Sequence, residues 1–132
     1  MDIQVNYLAV VIAAAAGFFL SWGWYAAFGP VWLKALGQTK ENLTPKPLPF
    51  VLAAIAYLLM AWMLAGLLGH LANVTFRGGL MAAFFVWAGF VLTTVLVNQT
   101  FRGTSPSVIL IDLGNWLAVL LLMGAIIGAF GT

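Results

Sequence analysis

The sequence predicts an all-α integral membrane protein, a four-helix bundle with short loops, and three observations predict it. Of 132 residues, 64% are hydrophobic and only 6% charged, where a soluble domain carries about 25% charged residues. The mean hydropathy is +1.10. Gly, Pro and polar residues gather in short breaks that leave four apolar runs of about 20 residues, each long enough for a hydrocarbon core of about 30 Å at about 1.5 Å per residue. A single transmembrane domain is expected over residues 1–132.

The first helix is predicted from about Tyr7 to Phe28, stopped by Gly29-Pro30, a helix-terminating pair. Ala9, Ala13, Gly17 and Ser21 recur every fourth residue, a small-residue groove of the kind that lets helix backbones approach in membranes. Trp22, Trp24 and Tyr25 near its end read as an aromatic belt at the water interface. Met1 to Asn6 contains Asp2 and no Lys or Arg, unlike the positive n-region of a signal peptide. This helix is therefore expected to remain in the mature protein.

Loop one, about Gly29 to Leu48, holds a predicted short interfacial helix, Val31 to Leu36, with Gly37 as its stop. Pro45, Pro47 and Pro49 alternate after it and predict an extended, stiff connector. The second helix is predicted from about Pro49 to Leu71, with Ala61, Ala65 and Gly69 as a second small-residue stripe. His70, near its far end, reads as an interfacial hydrogen-bonder rather than a proton relay or ligand. The short link after it makes helices two and three an antiparallel hairpin.

The third helix is predicted from about Gly79 to Gln99, and its late Thr93, Thr94 and Asn98 are of the type that bonds a neighbouring helix. The fourth is predicted from about Ser107 to Phe130, where Gly124 and Gly128 form a G-x-x-x-G pair that predicts close helix packing, within the subunit or between subunits. Lys34, Lys40, Lys46 and Arg102 fall in loops one and three, and only Arg77 falls on the other side. The positive-inside rule then places those loops in the cytoplasm and both termini outside. Because the basic residues report topology, the pI near 9.3 is not a sign of nucleic-acid binding.

One constellation breaks the apolar pattern. Thr94, Asn98 and Arg102 are spaced i, i+4, i+8 on the third helix, and Asp112, Asn115 and Trp116 share a face of the fourth. Asp112 is the sole acidic residue inside an apolar run. Intramembrane carboxylates are costly, about 2.5–3.5 kcal/mol at a helix centre on insertion scales, and mark functional sites by default. Arg102 or Lys34 is the expected basic partner, with Asn98 or Thr94 as hydrogen-bond donors. Two readings follow: a clasp that fixes the turn between helices three and four, or a cavity open to the cytoplasm for a proton, cation or small polar ligand.

Other chemistry finds no support. With no cysteine there is no disulfide, iron–sulfur cluster or thiol nucleophile. His70 stands without partners at ligand spacing, so no metal site is expected. No P-loop, G-x-G-x-x-G or H-E-x-x-H pattern occurs, and only three carboxylates exist, so an enzyme is not expected and no motif requires a cofactor.

The chain resembles the bacterial four-span membrane proteins catalogued as domain of unknown function 1761. The resemblance runs from Asn6 to about Phe130 through Asn6-Tyr7-Leu8-Ala9-Val10, Trp24-Tyr25, Phe28-Gly29, Trp32 and Leu36-Gly37. It continues through Trp87, Gly89-Phe90, Thr93-Thr94, Asn98, Phe101, Ile111-Asp112 and Met123-Gly124-Ala125-Ile126. It implies four membrane helices in a bacterial inner (cytoplasmic) membrane and carries no activity or site residue. The Pro45-Pro47-Pro49 connector departs from it.

Three functional expectations remain. The first is an accessory subunit of a larger membrane complex, or a homo-oligomer, because four helices are not expected to bury all the small-residue stripes internally. The second is a small transporter or channel using Asp112. The third, weaker, is a binder of an apolar cofactor or lipid, compatible with the 14% aromatic content.

Overall fold

The computed structural model describes residues 5–38 and 46–131, and its regular structure there is helical. Four helices are long and apolar enough to cross a membrane: α1 Tyr7–Leu36, α2 Pro47–His70, α3 Phe76–Phe101 and α4 Pro106–Phe130. Helix α4 is the hub. It packs along α1 on one side and α3 on the other, while α2 leans mainly on α1. Gly78, Gly79, Ala82 and Ala83 of α3 are buried, whereas its last ten residues, Leu92–Phe101, bury nothing, so the outer half of α3 is peripheral. Leu68, Val119, Met123 and Ile127 fill the core.

Capping residues set the helix starts. The Asn6 side chain accepts the Ala9 N–H at 3.1 Å, satisfying one of the amides that a helix start leaves unpaired. Thr75 does the same for Gly78 at 2.9 Å, so α3 opens at Phe76, three residues before the predicted Gly79. Pro47 and Pro49 lie in the first turn of α2, where a missing N–H costs nothing. They are helix rather than connector. Pro45, with Lys40 and Asp2 of the charge count, lies outside the described residues.

Helix α1 does not stop at Gly29-Pro30. Pro30 is inside it, and the segment predicted as a separate interfacial helix is its final turns. Proline removes one backbone donor and crowds the carbonyl four residues back. The turns beyond it are nevertheless held from outside, because Trp32 donates to Asp112 on α4 at 3.1 Å. Gly37, predicted as the stop of that separate helix, ends α1 instead, at φ 73°. There the Gly37 N–H reaches the Lys34 carbonyl at 3.0 Å and the Gln38 N–H that of Leu33 at 2.9 Å, the two bonds of a Schellman motif.

The small-residue stripes are consumed inside the chain. Ala9, Ala13, Gly17 and Ser21 are all buried, as are Ala61, Ala65, Gly124 and Gly128. Gly17 meets Met123 and Val119, and the backbones of Gly79 and Gly124 touch. A Cβ on Gly128 would overlap the Thr75 carbonyl. The G-x-x-x-G pair therefore joins α4 to α3 within the subunit, and apart from the half-buried Gly69 the four helices bury their own stripes.

A π-helical turn, Trp87–Val91, interrupts α3. It adds a residue to one turn, a feature that often accompanies a functional or strained position. Beyond it, Leu92–Phe101 contains no buried residue, and Thr93 bonds back to the Gly89 carbonyl at 2.8 Å.

Candidate functional site

Trp24, Tyr25 and Trp32 project from α1 onto one turn of α4. The Tyr25 hydroxyl donates to Asp112 Oδ1 at 2.6 Å, and Trp32 Nε1 donates to the same oxygen at 3.1 Å. Tyr25 and Trp32 are seven residues apart, two helical turns, so they share a face. Their rings meet edge to face at 5.5 Å. Trp24 Nε1 donates to the Ile111 carbonyl at 2.9 Å, in space left by Gly114, where a Cβ would come within 2.7 Å of the indole. From the other side, Trp87 Nε1 donates to the Leu113 carbonyl at 3.0 Å. Residues 111–113 are thus gripped by indole and phenol donors from two helices.

One turn further into the bundle lies a second polar group. Ser21 Oγ donates to Asn115 Oδ1 at 2.8 Å and lies 2.5 Å from the Tyr57 hydroxyl. Serine has one proton to give. With that proton on Asn115, Tyr57 is the donor to Ser21, and a directed chain links α2, α1 and α4. Asn115 is 1% exposed, where an unpaired amide would cost about 1–3 kcal/mol. The Trp116 ring packs on Tyr57 at 5.6 Å.

Of the residues singled out from the sequence, Asp112, Asn115 and Trp116 belong to this cluster. Thr94, Asn98 and Arg102 do not: they are exposed on the outer half and end of α3. The donors to Asp112 come instead from α1: Tyr25, which the sequence presented as a belt aromatic, and Trp32, which it placed in a separate interfacial helix. Ser21 and Tyr57 were missed too. The available signal was Ser21, Tyr25 and Trp32 at i, i+4 and i+11, a polar continuation of the small-residue stripe.

A groove runs beside the cluster between α1 and α2. Its inner part, about 540 Å³, is lined by Phe18, Ser21, Trp22, Ala53 and Tyr57. Tyr25, Ala26 and Phe50 belong to both parts, and the outer part, about 1090 Å³, continues past Pro30 and Leu33 to Lys34 and Gln38. Ser21, Tyr25 and Tyr57 lie in the lining of an otherwise apolar trough with one cationic end. Among the described residues no cluster of His, Cys, Asp or Glu is placed to hold a metal ion.

Four apolar spanning helices closed around a small hydrogen-bonded polar cluster define a multi-pass membrane protein. The chain belongs to the family described as "Protein of unknown function (DUF1761)", whose model matches residues 8–128. No curated protein and no solved structure matches it.

Proposed function

We propose that this protein is a non-catalytic component of the cytoplasmic membrane that holds an amphipathic, lipid-like ligand in the groove between α1 and α2. The carrying observation is the groove itself: apolar walls from Phe18 to Phe50, with Ser21, Tyr25 and Tyr57 in its lining. A concave, mostly apolar site with a few convergent polar groups is what small-molecule binding requires. In this reading the Asp112 cluster holds α1 in place as one wall.

The expected orientation supports a groove that opens toward the cytoplasmic leaflet. Lys34 closes α1, Lys46 precedes α2 and Arg102 closes α3, whereas Arg77 opens α3 at the opposite end. The test is mass spectrometry of lipids retained by the purified protein, with Ala26→Trp filling the groove. A retained amphiphile that is lost in Ala26→Trp is the expected result. Retention of nothing, or retention unchanged by the substitution, defeats the reading.

A second reading, a small transporter or channel, is favoured by one observation: Asp112, a carboxylate within a spanning helix, is only half-buried. Flux into liposomes that is the same for the native protein and Asp112→Asn rules out that use of the carboxylate.

A further inference from the structure

We propose that the groove is built for a phospholipid with an anionic headgroup, the acyl chain lying along Phe18 to Pro30 and the headgroup phosphate meeting Lys34. The inference rests on the ligand-binding reading above and adds the ligand's charge and its direction. Three observations carry it.

The first is length. Phe18 to Pro30 spans twelve residues of α1, about 18 Å at about 1.5 Å per residue. That is close to one leaflet's share, about 15 Å, of a hydrocarbon core of about 30 Å. Lys34 lies one turn further, about 6 Å on, in the depth occupied by headgroups. A chain lying in the apolar part therefore brings its phosphate to Lys34 without bending.

The second is charge. Among the described residues lining the groove, Lys34 is the charged one and none is acidic, with Gln38 beside it as a further donor. The lining thus changes from Phe, Ala and Trp to an ammonium and an amide at one end, in the order of a phospholipid's own tail and headgroup.

The third is that two of the terminal carbonyls of α1 are already paired without the Lys34 side chain. Lysines in the last turn often serve the free carbonyls there. Here the Leu33 and Lys34 carbonyls already accept from Gln38 and Gly37. The Lys34 side chain is exposed and lines the groove.

The experiment is native mass spectrometry of the full-length protein from bilayer discs of equal phosphatidylglycerol and phosphatidylcholine. The expected result is roughly fivefold preferential retention of phosphatidylglycerol, about what one lysine near an anionic lipid surface contributes. The preference is expected to be lost in Lys34→Ala, kept in Lys34→Arg, and kept in Arg77→Ala, which removes a cation at the opposite end of the bundle. Glycerol phosphate, which carries the phosphate without the chain, is expected not to compete. Preference that survives Lys34→Ala, or competition by glycerol phosphate, overturns the inference. Equal retention of both lipids that Ala26→Trp abolishes also overturns it while leaving the groove reading intact. Retention of neither lipid removes the groove reading itself.

Discussion

Tyr25 and Asp112 face each other across the α1–α4 interface, the phenol donating to the carboxylate at 2.6 Å. The pair explains how an acidic side chain sits within a spanning segment with no basic residue bonded to it among the described residues. A hydrogen bond to a charged acceptor contributes about 1.5–3 kcal/mol, comparable with the cost of placing an aspartate in an apolar span. Trp32 adds a second donor to the same oxygen. Because Tyr25 and Trp32 lie on opposite sides of Pro30, the carboxylate also braces α1 across its weakest backbone position.

The pair is therefore expected to be energetically coupled. Tyr25→Phe should destabilise the protein by about 1.5–2 kcal/mol, the lower part of the charged hydrogen-bond range, because the site is only partly buried. Asp112→Asn removes the charge and should make Tyr25→Phe cheaper. A double-mutant cycle on unfolding in detergent is expected to give a coupling energy above about 0.5 kcal/mol. Additive effects would mean that the hydrogen bond has no role in holding α1.

Glycines separate into two kinds that a stability scan should tell apart. A Cβ on Gly79 or Gly124 would run into the other's backbone, which no side-chain movement relieves, whereas Gly66 has nothing within 4 Å. Gly79→Ala and Gly124→Ala are each expected to cost at least about 1–3 kcal/mol, as overpacking does. Gly66→Ala should be neutral or stabilising by up to about 1 kcal/mol, the helix-propensity difference. Equal effects at Gly66 and Gly124 would contradict the close approach of α3 and α4.

The architecture was legible because its causes are local. Hydrophobic run length places α1's start at Tyr7, and Gly37 marks a helix stop, though one predicted for a separate short helix. The small-residue stripes correctly marked contact faces, since spacing fixes which residues share a face. It does not fix which helix arrives there. For that reason Gly124 and Gly128 left packing within or between subunits open, and Asp112 was matched to Arg102, its neighbour in sequence, instead of to Tyr25 and Trp32. Gly29-Pro30 misled for a related reason. Local propensity says stop, yet the helix runs on through Pro30, and beyond it Trp32 is tied to a residue 80 positions away. The π turn at Trp87–Val91 has no local signature in the residues that form it.

The Tyr57–Ser21–Asn115 chain makes a directional prediction. Asn115→Ala takes away the acceptor for the Ser21 proton in a buried setting and should cost about 2 kcal/mol or more, from lost packing and an unpaired hydroxyl. Tyr57→Phe removes a donor while leaving Ser21 bonded to Asn115, so it should cost about 1 kcal/mol. Chemical denaturation of both variants in the same micelle orders them. If Tyr57→Phe proves the more damaging, the proton runs in the opposite direction along the chain.

An accessory or self-associating role now has to rest on surfaces other than the stripes, because those are buried within the chain. The outer half of α3 has the right character: Leu92–Phe101 buries nothing, yet Thr94 and Asn98 stand exposed on it one turn apart. Polar side chains on a membrane-facing helix gain about 0.6–2 kcal/mol each when they bond across to another helix. Replacing both with leucine should therefore weaken any association of the purified protein roughly threefold or more, while leaving its unfolding stability nearly unchanged, since neither side chain contributes to the core. Cross-linking in bilayers at graded protein-to-lipid ratios measures this directly. Association that is unaffected by Thr94→Leu and Asn98→Leu together places the contact elsewhere, and a protein that stays monomeric at every ratio removes self-association as a role.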